Sequence, residues 1–357
     1  MQTQSSSLER LDSLQTLRGF ASIWVLCFHW GLAQNWGNTW VGMQGWFNGF
    51  LGVDVFFVLS GFVNGLLIQK SSEVNQITFS KYLNRRFFRI VIPTWVSIVM
   101  VVLVSWSEFG SQNYWQRILH SFLFIPTGKG AAPFYGYMFH IVVWSLFYEM
   151  LFYVSLSVTF FLKSYRIPAL LLLLIIPVFF NPISIWNPYE PKPINALEIY
   201  EVIQLGFTNP MMLEFALGLI GAWVYHWVFH LKQIPLKPNW TPTIAWGLAI
   251  IVAISVLFLI FTPVQRHGIW PNGLVAFALV MGLAFQETIV KQKYHKIFVY
   301  LGTLSFPLFL THTGWIAIWH QVWPKWNPYV PFGWAILISL ILSFALAHGF
   351  GKALKIL

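Results

Sequence analysis

Charge is what this sequence has least of. Only 9% of its 357 residues are Asp, Glu, Lys or Arg, where a soluble domain carries about 25%. So few charges cannot clothe a water-exposed surface, and with 57% hydrophobic residues the soluble globular class is excluded. Cysteine is nearly absent as well. The single one, Cys27, lies in an apolar run, which rules out an internal disulfide or a cysteine-based metal cluster and leaves packing as its role. The sequence has no Gly-rich nucleotide loop, no HExxH and no metal-ligand spacing, so no metal is expected. Acidic residues are scarce, 11 against 21 basic. In a soluble protein that balance would suggest nucleic acid, but in a lipid-embedded chain Lys and Arg collect in cytoplasmic loops, and no nucleic-acid partner is expected.

Aromatic and apolar residues are abundant. The 20 Trp and 13 Tyr suit belts at the two membrane interfaces. A spanning helix takes about 20 mostly apolar residues, and ten stretches qualify: about 14–33, 48–69, 88–106, 140–162, 166–180, 210–231, 243–261, 270–288, 298–320 and 333–355. The stretch 166–180 is short, with Pro168 and Pro177 near its ends. Ile118–Pro126 is too short to span and is expected at the interface or as a re-entrant piece. No small-x-small cleavage site follows the apolar segment Phe20–Leu32, so it reads as the first membrane helix and not as a cleaved signal. The expected fold is an all-α polytopic membrane bundle of about ten transmembrane helices. Residues 14–355 form one domain behind a cytoplasmic tail at 1–13.

Counting charges orients the bundle. With both termini in the cytoplasm, 16 of the 21 Lys and Arg residues face inward and 5 outward (Arg117, Lys129, Lys192, Arg266 and Lys325). The reverse orientation inverts that bias, so the expectation is N-in and C-in, in the cell membrane. Two long outer segments result, about 107–139 and 181–209, rich in Pro, Gly and aromatics. They read equally well as solvated connectors or as a site for a large polar substrate.

Ionisable side chains inside membrane helices cost several kcal/mol and call for a partner or a purpose. His29, Asp54, Glu149 and His312 are such residues, and in this topology all four fall in the outer half of the bilayer. A carboxylate beside a histidine can orient the ring and raise its basicity, as a general base requires; the same pair can also be inert glue between helices. At the inner face, Arg18 lies 11 residues before His29, roughly 16 Å away along one helix. Arg85, Arg86 and Arg89 form an RRxxR cluster, with positions 85 and 89 expected on one face. Guanidinium groups suit phosphate, and equally lipid headgroups. Ser60 and Ser145 are possible nucleophiles, although Ser in a membrane helix commonly bonds its own backbone. The Gly61–Gly65 spacing allows close helix packing.

These residues are set in segments that resemble the membrane acyltransferase-3 family, which includes bacterial O-acetyltransferases of surface and exported polysaccharides. LRGFASIWVLCFH holds Arg18 and His29 in that family's Arg-x10-His spacing, and GVDVFFVLSGF covers Gly52–Phe62. FSKYLNRRFFRIVIPTW covers Phe79–Trp95, and WSLFYEMLFY at Trp144–Tyr153 is nearest the exopolysaccharide acetyltransferase wording. LSFPLFLTHT at Leu304–Thr313 is similar to the late S-x-x-x-x-L-x-H pattern. Many members carry two adjacent acids where this chain has Glu149 followed by Met150, a feature shared by the exopolysaccharide type.

The resemblance implies an acyl-CoA donor, acetyl-CoA foremost, and a hydroxyl of a polysaccharide or lipid-linked glycan as acceptor. It implies that Arg18, Arg86 and Arg89, with Arg85 as a further candidate, hold the CoA phosphates. His29 would be the base and Glu149 its orienting partner, with Asp54 in reserve; His312 and Trp144 are the candidates for contact with substrate. The competing reading is a non-catalytic proton-coupled transporter or flippase, which half-buried acids and histidines would also suit.

Overall fold

Helix is the rule because a backbone in lipid must satisfy its own hydrogen bonds. A computed structural model of the chain describes residues 11–33, 48–74, 79–105, 108–128, 130–180, 198–231, 240–262 and 266–322, with isolated positions between 334 and 349. In chain order the helices are α1 (Asp12–Ala33), α2 (Gly52–Val74), α3 (Phe79–Val104), α4 (Tyr114–Leu123), α5 (Val143–Thr159), α6 (Arg166–Ile175), α7 (Ile199–Thr208), α8 (Met212–His226), α9 (Thr241–Phe261), α10 (Leu274–Val290) and α11 (Lys296–Val322). No strand occurs among the described residues.

Seven of these helices, some with their flanking turns, are long and apolar enough to cross a membrane: Asn48–Gln69, Phe79–Val104, Val143–Leu162, Met212–Phe229, Thr241–Phe261, Ile269–Val290 and Lys296–Ile318. They match seven of the ten expected stretches. Of the other three, α1 has the length, 22 residues, but Gln15, Thr16, Arg18 and His29 make it more polar. The stretch Arg166–Phe180 falls short: α6 is 10 residues and continues only as a tight 3-10 turn at Ile176–Phe180. At about 1.5 Å per residue it cannot cover a hydrocarbon core of about 30 Å. The stretch 333–355 lies outside the described residues. The segment expected as a loop at 181–209 ends in helix instead: α7 starts at a capping box in which the Glu198 and Glu201 side chains each take a backbone N–H. The Ile118–Pro126 piece belongs to α4, which buries Tyr114 and Ile118 and exposes Trp115, Leu119 and Leu123.

Two helix pairs set the registers that matter. α1 runs along α11, and α2 along α8. A side chain at Gly19 would strike the main chain of Leu301 and Gly302, and one at Gly302 the main chain of Gln15. Gly61 meets Phe215 and Gly218 in the same way, with Gly65 against Ala222, so the Gly61–Gly65 spacing does serve close packing. At the start of α1, the backbone N–H groups of Asp12 and Ser13 each donate to Glu287 near the end of α10, both at 2.9 Å. A carboxylate there satisfies orphan donors and complements the helix dipole. α9 sits outermost, turning Trp246, Ile250, Ile254, Leu257 and Phe261 outward as lipid requires.

Candidate active site

α2 works as a ruler for the site. Asp54, Ser60 and Asn64 stand along it, separated by roughly 9 Å and then 6 Å of rise, and each meets a different partner helix or loop.

At the Asn64 level a cavity of about 100 Å³ is lined by Arg18 of α1, Ser60 and Asn64 of α2, Arg86 and Arg89 of α3, Glu149 and Tyr153 of α5, and Ser305 and Phe309 of α11. Arg86 donates to Asn64 Oδ1, and its guanidinium lies 5.2 Å from the Tyr82 ring centre and 5.0 Å from that of Tyr153. Tyr153 donates its hydroxyl to Glu149 Oε1, and Ser60 donates to the same oxygen at 3.4 Å. Three guanidinium groups thus share a partly enclosed space with one carboxylate. That leaves a surplus of positive charge, and guanidinium is weakly hydrated enough to suit an anion in such a space. Arg89 is exposed at the rim.

Arg85 is exposed and does not line the cavity. The pairing of positions 85 and 89 expected from α-helical spacing does not extend to the cavity, which Arg89 alone of the two lines; α3 takes a π turn at Phe87–Val91. Arg86 and Arg89 converge instead.

The other end of the bundle holds histidines. Gly19 and Gly302 touch, and ten residues further along each of these parallel helices stand His29 and His312. Their rings meet, His312 Nε2 lying 3.1 Å from His29 Nδ1 with ring centres 4.9 Å apart. A carbonyl can only accept, so for neutral rings the contacts assign the tautomers. His312 Nδ1 lies 3.2 Å from Leu308 O and carries its hydrogen, which leaves His312 Nε2 as an acceptor. His29 Nδ1 faces that acceptor and Val25 O at 3.0 Å, so it carries a hydrogen too. The lone pair of His29 is therefore on Nε2, the atom a general base needs.

Asp54 lies at this end and is fully buried, but its partner is another histidine. Asp54 Oδ2 accepts from His267 Nδ1 at 2.8 Å and Oδ1 accepts from the Gly268 N–H at 3.0 Å. Rings of Phe50, Phe134 and Trp144 wall His267, the nearest two centred 5.0 Å away. His140, also buried, lies 3.0 Å from Leu310 O and 3.5 Å from Thr313 Oγ1. Between the two ends stand Phe56 and Phe309, edge to face at 6.0 Å; both line the cavity, and Phe309 lies against the His312 ring.

The profile of the acyltransferase domain matches residues 11–348. The chain belongs to the acyltransferase-3 family. Among its curated relatives is the peptidoglycan O-acetyltransferase OatA of Listeria monocytogenes, 24% identical over 97% of this chain and 55% of that protein. Another is the exopolysaccharide production protein ExoZ of Rhizobium meliloti, 26% identical over 76% of this chain and 77% of that protein. The chain thus spans little more than half the length of OatA. No solved structure matches it.

Within this acyltransferase-3 chain the expected site residues fall into two groups. Arg18, Arg86, Arg89 and Glu149 come together; His29, His312, Asp54 and Trp144 lie at the opposite end. Glu149 was expected to orient His29, and its hydrogen bonds go to Ser60 and Tyr153 instead. Asp54 in turn reaches His267, not His29. Trp144 is nearly buried, between Phe134 and His267. Ser145 donates to Val142 O, the backbone bond expected of it, whereas Ser60 turns to Glu149. His267, His140, Tyr153 and Asn64 had no spacing to single them out. Among the described residues no group of three or more His, Cys, Asp and Glu is placed to hold a metal ion.

Proposed function

We propose that this chain moves an acyl group, acetyl by the names of its relatives, from a CoA-type donor to a hydroxyl of a polysaccharide or lipid-linked glycan. The observation carrying this reading is the pairing of a cation-rich cavity with a tautomer-assigned imidazole some 11 residues, roughly 16 Å, along the same helix. Arg18, Arg86 and Arg89 bind the donor's phosphates as charge-assisted hydrogen-bond donors. Glu149, tied to Tyr153 and Ser60, offsets repulsion among the three cations and keeps them in place. His29 Nε2 removes the proton of the acceptor hydroxyl. His312 and Val25 O hold the His29 ring by its other nitrogen, the part a carboxylate plays in many hydrolases.

The 16-to-5 bias of Lys and Arg supports an orientation with the arginine cavity facing the cytoplasm, where acyl-CoA is made, and the histidine end facing outward in the bacterial inner membrane. The donor's arm then crosses toward His29 past Phe56 and Phe309.

Purified protein in detergent or proteoliposomes, given acetyl-CoA and an oligosaccharide acceptor, should release CoA and acetylate the sugar, with both depending on His29. Movement of the glycan across the bilayer without CoA release would replace this reading with a carrier.

A further inference from the structure

The cavity changes character along its length. Its polar lining collects at the arginine end, at Ser60 and Asn64 on α2, Glu149 and Tyr153 on α5 and Ser305 on α11. Toward the histidine end the same three helices line it with apolar groups: Val53, Phe56 and Phe57 of α2, Leu146 of α5 and Phe309 of α11. Ser145 lines that stretch too, and its hydroxyl is spent on Val142 O. Val53 and Asn64 stand 11 residues apart on one helix, so the graded space runs roughly 16 Å along it. Phe56 and Phe309 join its α2 and α11 walls. Their rings meet edge to face with centres 6.0 Å apart, a contact that aromatic quadrupoles favour. Phe309 also lies 6.0 Å from the ring of His312, and His312 meets His29. Ring contacts thus run unbroken from the cavity wall to His29.

We propose that Phe56 and Phe309 set the length of the acyl group, their paired rings closing the apolar end of the cavity so that two carbons fit and a longer chain does not. This rests on the acyl-transfer reading above and deepens it by naming what limits the donor. A donor whose phosphates lie among the arginines sends its thioester arm into the apolar stretch, with the acyl group leading. In the transfer the acceptor oxygen bonds the acyl carbon, the carbon–sulfur bond breaks, and the acceptor's proton passes to His29 and then to the sulfur. Whatever chain extends beyond the acyl carbon has to lie against Phe56 and Phe309. A methyl group asks little of them. Each further methylene presses into rings already in contact with one another and with His312, and a packed apolar wall resists added volume.

The test offers purified full-length protein an oligosaccharide acceptor and, in turn, acetyl-, propionyl- and butyryl-CoA, comparing kcat/KM for wild type, Phe56→Ala, Phe309→Ala, Phe56→Leu and Phe309→Leu. Wild type should lose about 10-fold or more for each added methylene. Each Ala variant should narrow the gap between acetyl and butyryl donors by about 10-fold or more, the worth of the volume opened. The Leu variants keep most of the packing and should narrow it by about 3-fold or more, which keeps the test alive if an Ala variant fails to fold. The ratio between donors is the deciding readout, because a residue that only packs would lower transfer from all three in proportion. A proportional loss, or an unchanged ratio in the Leu variants, would overturn the proposal. So would a wild type that uses butyryl-CoA as readily as acetyl-CoA, and neither result touches the acyl-transfer reading. A wild type that binds CoA and transfers nothing from any of the three donors would overturn that reading and this proposal with it.

Discussion

The arginine end and the histidine end of the bundle solve opposite electrostatic problems. The arginine end concentrates like charge: three guanidiniums against Glu149, that of Arg86 held by Asn64 and the faces of Tyr82 and Tyr153. On the proposed reading such a cluster serves to bind an anion. The histidine end concentrates neutral, orientable rings whose hydrogen bonds assign where each lone pair lies. On the proposed reading it serves to accept a proton. One end should therefore govern affinity for the donor, the other the rate of the chemical step.

Variants can break or sharpen that division. His29→Ala should lower kcat by about 1,000-fold or more, near the upper range for loss of a general base, while CoA binding by isothermal titration stays within about 3-fold; a matching loss of binding would merge the two ends into one. Next come Arg86→Ala and Arg89→Ala, each expected to raise the donor KM roughly 10- to 100-fold, the worth of a charged hydrogen bond, with kcat in initial-rate assays little changed, because the lost interaction is remote from the reacting atoms. Glu149→Gln sharpens the comparison most, since its spacing suggests the histidine end and its contacts the arginine end. It should raise the donor KM about 10-fold by unbalancing the three cations and keep transfer at saturating donor; a collapse of kcat would return Glu149 to His29. His312→Asn should cost about 10-fold in kcat alone, through a less well-held His29 ring. Arg85→Ala should change the donor KM by less than about 2-fold, as for an exposed charge.

Much of this was legible in the residues. The scarcity of charge announced the membrane, and seven of ten expected spans are long apolar helices. Arg18 and His29 share a helix, so their separation follows from the rise per residue alone. The segments around Arg18, Asp54, Arg86 and Glu149 carried the resemblance to the family. What was not legible is pairing. By sequence position Glu149 and Asp54 are both expected at the depth of His29, yet neither bonds it, and Glu149 lies at the arginine end. His267 lies in a turn beside no periodic pattern, and only its contact with Asp54, 213 residues away in sequence, gives it meaning. Arg85 and Arg86 are neighbours in the chain, but adjacent helix positions point about 100° apart, and only Arg86 of the two lines the cavity.

By itself the sequence determined the solvent, the helices and every distance measured along one helix, because composition decides what must face lipid and the α-helical rise is constant. Tertiary structure alone decided who meets whom. The register between helices is set by close approach at Gly19 with Gly302 and at Gly61 with Gly218, and a shift of one residue there would carry His312 about 100° away from His29.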